Sequence, residues 1–402
     1  MKANPGGIIA PDEVVGRQAL IQSLWRGLEN QSVLLVSERR IGKSSIVSKM
    51  KAECPDGVLA FYDDLEGVSR PIDFVERVFA TVDGHLSRRQ KTAHRARAFL
   101  KQTHGGEFGG FKFPAAAEPD WPQLLEKTLQ DLVEHQRESR YIVFFWDELP
   151  VMVHKIRQSV GEQAAMAVLD VLRAIRQTNS RIRMVYTGSI GLHHVVHALR
   201  NAGHASDVTN DMLTVEVDPL AKPDALSLAT QLLQGEHIET GDENAVSVAI
   251  SEAVDRVPYY IHYVIRDLCQ PGGQVTPDQV HAVVDQRLAD PQDSWHLSHY
   301  RVRLNEYYDA DLIAPLLTIL DELALAQAPL TVAELRQRLR SQLTPGDGDA
   351  ARRILEGDDE LLRHALHMLA RDHYLHRTVE GAFTFRFPLI ARWWRIDRGL
   401  GS

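Results

Sequence analysis

Cysteine is almost absent. Cys54 and Cys269 are the only two in 402 residues and stand far apart. Isolated thiols fit a reducing compartment and offer no paired metal-ligand spacing. No apolar run approaches the roughly 20 residues that cross a bilayer. The opening Met1-Lys2-Ala3-Asn4-Pro5 lacks the apolar core of a secretory leader. A cytoplasmic chain with no membrane partner is expected. A basic excess is also missing: the net charge is −9. That excludes a surface attracting nucleic acid everywhere, though not a local basic face. The histidines are scattered. His193-His194 with His197 has helical spacing suited to a metal, but no further ligand is evident. The alternative is a solvated or hydrogen-bonding helix face. What is present is a globular composition, 44% apolar and 25% charged, at a length natural for two or three domains.

The chain is organised around Ser37-Glu38-Arg39-Arg40-Ile41-Gly42-Lys43-Ser44-Ser45. The apolar run Ser32-Val33-Leu34-Leu35-Val36 precedes it and helix-compatible Ile46-Val47-Ser48-Lys49-Met50 follows. Strand, tight loop, Gly-Lys-Ser and helix is the order of a phosphate-cradling P-loop. Backbone N–H groups of Arg39, Arg40, Ile41, Gly42, Lys43, Ser44 and Ser45 can face the phosphates, aided by the helix N-terminus. Lys43 can reach the β/γ oxygens, and the Ser44 hydroxyl can hold Mg2+. The pattern's first glycine is Ser37 here, so a strained backbone is expected there. Upstream, Val15-Gly16-Arg17 leads into an amphipathic helix with Leu20, Ile21, Leu24 and Leu28. Its Gly16-Arg17 turn either borders the adenine pocket or simply starts a packing helix.

Val58 to Leu65 reads as a strand ending in Asp63-Asp64, so strand, helix and strand form a βαβ unit in a parallel sheet. The two acids either organise water or Mg2+ beside the nucleotide or cap a helix. Residues 70–104 read as helices with a basic stretch from Arg88 to Lys101, which either touches nucleic acid or is solvated. Residues 105–113 read as a short hairpin or flexible loop, and about 85–120 as an insertion. Tyr141 to Trp146 is a strand apolar on both faces, ending in Asp147-Glu148. Asp147 can hold the Mg2+ shell and Glu148 can align the attacking water. The next strand runs 182–187 into Gly188-Ser189. Thr187 or Ser189 either senses the γ-phosphate or serves the turn. Arg173, Arg176, Arg181 and Arg183 are candidates to act in trans in an oligomer, with helix-end charge pairing as the default.

Strand residues 213–217 close the core. Helices follow over 223–234, 242–255, 259–268 and 277–288; Arg256-Val257-Pro258 opens one of them. Such a lid can close over the base near Pro258. Residues 291–308 read as a connector. From 309 the pattern is helix, a Thr331-capped helix, a polar insertion near 344–349, a helix from Asp359 to Asp372, and a hairpin through Tyr374–Arg377 and Phe383–Phe387. Three helices and a hairpin make a winged helix. Its third helix would show Arg363, His364, His367 and Arg371, with Arg377 and Arg386 on the wing. Asp358, Asp359, Glu360 and Asp372 oppose them, so duplex DNA and a protein partner both stay open.

At Ser37 to Ser45 the chain resembles the archaeal-type ATPases of the STAND class, whose P-loop reads Gly-x-Arg-Arg-x-Gly-Lys-[Thr/Ser]-Ser. The resemblance runs on through Val15-Gly16-Arg17, Asp147-Glu148, Gly188-Ser189, the Pro258 helix and the terminal winged helix. It implies an AAA-like ATPase core, a helical lid, a winged helix and ATP-dependent switching that often drives assembly. Origin-recognition ATPases share this domain order more distantly. Ser37 departs from the family glycine, while the arginine pair is kept, with Arg40 facing either phosphate or an adjacent loop. The family's usual sensor repeats are not recognisable, so sensing is expected of a partner.

The expected architecture is therefore α/β: a P-loop NTPase core with a parallel sheet over 1–219, a lid over 220–290, a connector, and a winged helix over 309–402. The expected activity is slow or partner-stimulated ATP hydrolysis with Mg2+. The expected partners are ATP, then duplex DNA, a protein or a second copy. The alternatives are a DNA-binding protein in which ATP only sets conformation, and a scaffold with a structural nucleotide.

Overall fold

The computed structural model describes all residues except 89–93, 104–105, 109–110, 114–119, 189–191, 193–195, 197–198, 200–206, 270–272, 342–348, 356, 358 and 402. For 94, 101–103, 106–108, 111–113 and 349–351 it describes the backbone path alone. Ser189, His193, His194, His197 and Asp358 thus lie outside the described residues. The chain divides into two compact units. One holds Ala10–Arg39 and Lys43–Val217; the other holds Met1–Ile9, Arg40–Gly42 and Asp218–Ser402. No described helix is long and apolar enough to cross a membrane.

The first unit is built on five parallel strands, β1 (Ser32–Val36), β2 (Val58–Asp64), β5 (Tyr141–Asp147), β6 (Ile182–Tyr186) and β7 (Met212–Glu216). Their order across the sheet is β2-β5-β6-β1-β7. The βαβ unit read from the sequence is parallel, but β1 and β2 are not neighbours: β6 and β5 stand between them. Every residue of β5 and β6 is buried, as a central parallel strand requires, whereas β7 at the edge alternates. Aromatic packing fills one side of β5. Trp146 lies 5.2 Å from Phe74 and 5.4 Å from Phe144, and Phe144 lies 5.2 Å from Phe61. Such ring pairs add about 0.5–1.5 kcal/mol beyond the area they bury.

Helix Pro71–Arg88 carries a buried row from Phe74 to Leu86 at helical spacing. Within the 105–113 stretch, β3 (Gly106–Phe108) pairs antiparallel with β4 (Phe111–Phe113). In the basic stretch before it, Arg97 meets buried Asp83 through two bonds of 2.8 and 2.6 Å. Arg95 meets Asp131 and Glu134. Arg95 and Arg97 of the basic stretch are thus each paired with acids of the first unit.

The second unit contains four helices in the segment the sequence reads as a lid, Lys222–Gly235, Glu243–Ala253, Pro258–Leu268 and Pro277–Leu288. Asp242 caps the second helix, and a Thr276–Gln279 capping box starts the fourth. The segment expected to be a mere connector carries helix His299–Tyr307 and fully buried Trp295, Leu297 and Leu304. It ties to the lid through Trp295 Nε1, which donates to Asp267 at 3.0 Å.

Helices Ala310–Leu325, Val332–Arg340, Asp349–Leu355 and Asp359–Arg371 follow, then β8 (Leu375–Arg377) paired with β9 (Phe383–Phe385). Leu330 bridges to Phe383 as a third extended position. The Thr331 cap is a full box with Glu334. Two of the described helices in this C-terminal segment were not anticipated. Asp349–Leu355 adjoins a polar insertion that masks its pattern. Pro388–Asp397 starts on proline and buries Leu389, Ile390, Trp393 and Trp394. Trp394 Nε1 donates to Asp321 at 2.8 Å.

Within this unit, the Asn4 N–H donates to His262 Nδ1 at 3.2 Å, and burial pushes that imidazole down to about 4. The unfolded chain therefore takes up the proton first as pH falls. Stability from neutral His262 is present above about pH 6.5 and is lost toward pH 4, by on the order of 3 kcal/mol. Thermal unfolding from pH 7 to 4.5 should fall more steeply for the wild type than for His262→Asn.

Candidate functional site

Strand β1 ends at Val36 and helix Lys43–Ala52 begins seven residues later, so residues 37–42 form the whole turn. Two backbones in it are left-handed, Arg40 at φ +71° and Gly42 at φ +97°. Ser37 is not among the left-handed positions. The strain expected at Ser37 is thus absent there and lies instead at Arg40, a non-glycine residue. The Ser37 side chain has another use. Its hydroxyl donates to the Glu38 carbonyl at 3.0 Å and accepts from Lys43 Nζ at 3.1 Å. Lys43 also donates to the Ser37 carbonyl at 3.1 Å and the Glu38 carbonyl at 3.0 Å. The buried ammonium is held against its own loop.

Ser44 is exposed and Ser45 half-buried on the helix's first turn, where unpaired N–H groups and the helix dipole favour an anion. The Arg39 side chain is exposed, and its N–H donates to Glu38 Oε1 at 2.7 Å. Ile41 is buried. Arg40, Ile41 and Gly42 are counted with the second unit, and the Arg40 guanidinium bonds there through Nη1. It donates to the Trp295 carbonyl at 3.0 Å, the His296 carbonyl at 2.8 Å and the Tyr260 hydroxyl at 3.2 Å. It also lies 4.7 Å from the Tyr259 ring centre. Of the two readings for Arg40, its side chain takes the adjacent loop. Gly16 is left-handed at φ +70° directly before buried Arg17, whose carbonyl accepts from Ile21 as the helix starts. Pro258 is the first residue of its lid helix, where its missing N–H costs nothing.

Asp147 closes β5 and is buried. Its Oδ1 accepts from the Glu148 N–H at 3.1 Å and from the Thr187 hydroxyl; its Oδ2 accepts from the Tyr62 hydroxyl at 3.1 Å. Glu148 is left-handed at φ +55°, turning the chain from strand into helix Leu149–Ser159. The pair predicted at this strand end is thus joined by Thr187 from the neighbouring β6. Tyr62 was missed: among apolar strand residues it reads as core, although it shares strand parity with Asp64, which pairs with Asp147.

Asp63 does not join them. It accepts from Thr81 at 3.0 Å, and burial pushes its carboxyl up against the pull of that bond. Asp64 accepts from the Glu66 N–H at 2.9 Å in a local turn. Neither acid caps a helix.

Three candidate trans-acting arginines have structural partners. Arg176 is bidentate to Asp211 at 2.8 Å and donates to Tyr186 at 2.6 Å. Arg183 donates to the carbonyls of Leu28 and Glu29, and Arg181 to those of Val133 and Ser139.

No family model and no curated protein matches the chain. Solved structures do. The Walker-type ATPase PABY2304 of Pyrococcus abyssi aligns over 96% of this chain and 97% of its own, with a TM-score of 0.62 and 14% identity. The Aeropyrum pernix ORC2 protein, solved in ADPNP–ADP complexes, aligns over 97% and 96%, with a TM-score of 0.54 and 13% identity.

The fold is that of an AAA-like P-loop NTPase. Gly42 is the one glycine of the turn after β1, and a Cβ there would meet nothing within 4 Å. The cost of Gly42→Ala is therefore torsional. We expect a loss of about 1–2 kcal/mol in urea unfolding.

Proposed function

We propose that the chain binds ATP at residues 37–45 and hydrolyses it, slowly or on stimulation by a partner, as a molecular switch. One observation carries this reading: a Gly-Lys-Ser helix start and an Asp-Glu strand end occur in one parallel sheet, with Thr187 of the intervening strand bonded to the Asp. Lys43 and the loop N–H groups would hold the phosphates, with Lys43 leaving the Ser37 and Glu38 oxygens for the β/γ oxygens. Glu148 would orient and polarise the attacking water; the left-handed turn there is the kind of strain held at working sites. The exposed Ser44 hydroxyl and the Asp147 carboxylate are hard oxygen donors that suit Mg2+, and these two would hold it. Bound Mg2+ would neutralise charge on the transferring phosphoryl group. Gly16 and Arg17 are proposed to border the base.

The C-terminal module is proposed to be a winged helix that reads the nucleotide state out to duplex DNA, a protein or a second copy. Helix Asp359–Arg371 supports DNA. Its Arg363, His364, His367 and Arg371 are all exposed, as are His376 and Arg377 on the hairpin. Burial, and then nearby Arg377 and Arg371, hold the His367 imidazole below its ordinary range. Arg386 is not part of this face: it bonds Asp218 at 2.9 Å. Arg363 is tempered by Glu360 and Asp359. The ORC2 and P. abyssi structures support the ATP reading through fold.

Glu148→Gln should lower turnover by at least about a hundredfold while ATP stays bound. Lys43→Ala should lose ATP itself. Unchanged hydrolysis by Glu148→Gln would refute the role given to Glu148. For DNA, replacing Arg363 and Arg371 with Ala should reduce the slope of log affinity against log salt by about 2. Absence of duplex binding by the wild type at low salt would leave a protein as the partner.

A further inference from the structure

The Asp147 carboxylate accepts from three donors of the first unit. Two of them, the Thr187 hydroxyl and the Glu148 N–H, meet Oδ1. Among the described residues, Oδ2 is met by the Tyr62 hydroxyl, at 3.1 Å. Thr187 and Glu148 come from the ends of β6 and β5, the strands already read as parts of the site. Tyr62 comes from β2, the outermost strand, two residues before Asp64, whose backbone is in register with Asp147.

Two donors on one oxygen do not by themselves hold the rotation of a carboxylate about its Cβ–Cγ bond, which is a broad torsion. A third donor on the other oxygen does. A carboxylate offers about four lone-pair directions, so three protein donors leave little choice in where the remainder points.

We infer that Tyr62 is a positioning residue for Asp147, fixing the carboxylate orientation that the Mg2+-dependent mode of nucleotide binding requires. This rests on the proposed role of Asp147. The sheet supplies the reason for the residue type. A chain on the edge strand must span β2 to β5 from a side-chain position on the pleat, and tyrosine reaches with a rigid ring and ends in a hydroxyl. Phenylalanine would keep the ring and its 5.8 Å approach to the Lys51 ammonium while removing only the donor.

The experiment titrates MgCl2 into full-length protein with a fluorescent ATP analogue, for wild type, Tyr62→Phe, Thr187→Val and Lys43→Ala. Binding without Mg2+ should match wild type in Tyr62→Phe. The Mg2+ concentration giving half the Mg2+-dependent gain should rise about tenfold, the size of effect seen when a group orienting a metal ligand is removed. Thr187→Val should shift in the same direction. A Tyr62→Phe midpoint within twofold of wild type would overturn the inference while leaving the ATP reading intact. So would an equal loss of affinity with and without Mg2+, which would mark the hydroxyl as general support. If wild type binds the analogue no better than Lys43→Ala, or gains nothing from Mg2+, the reading of the site fails and takes the inference with it.

Discussion

Parallel pairing constrains everything else in the first unit. Because β1, β6 and β5 run the same way and in adjacent order, their C-terminal ends open on one edge of the sheet. The turn after β1, Thr187 after β6 and Asp147-Glu148 at the end of β5 belong to that edge. Backbone hydrogen bonds between strands set the register, Trp146 opposite Tyr186 and Val33 opposite Val185. A slip by one residue would turn Asp147 to the other face and separate it from Thr187. The burial of every residue in β5 and β6 makes such a slip expensive.

The same sheet forces several cations inside, and each is answered locally. Arg183 lies in a central strand and is satisfied by the carbonyls that end helix Gln18–Leu28. Those carbonyls lack partners within the helix, so one arginine serves a strand and a helix end together. Arg176 and Asp211 neutralise one another beside Tyr186, whose hydroxyl burial pushes up to about 12. Removing one member of such a pair leaves an uncompensated charge, commonly at a cost of about 3–5 kcal/mol. These arginines are therefore architectural. From the sequence they look the same as arginines waiting for a neighbouring subunit.

In the second unit the helices over 222–288 and the C-terminal helices and hairpin are joined by polar ties. Asp255, left-handed at φ +53°, accepts from the Leu389 N–H at 2.8 Å at the start of the terminal helix. Arg386 bonds Asp218, and the Tyr374 hydroxyl donates to the Tyr300 carbonyl. Beside them is a cavity of about 370 Å³ lined in part by Asp255, Arg256, His376 and Phe387. The segment between lid and module is packed core. Its aromatics, Trp295 and Tyr300, are as buried as any in the lid.

Local chemistry alone determined much. Long apolar runs, Gly-Lys-Ser, Thr331 before Glu334 and proline at helix starts act within a few residues of themselves, so most elements and the tight turn between β1 and its helix were legible. Tertiary structure decided what depends on partners far along the chain. It placed β5 and β6 between β1 and β2, sent Asp63 to Thr81, turned Arg386 to Asp218, and brought Tyr62 to Asp147 across 85 residues. It also moved the strain from Ser37 to Arg40, whose side chain finds carbonyls about 255 residues away. A side chain's type states what bond it can make. Only the folded path states which groups come within about 3 Å of it.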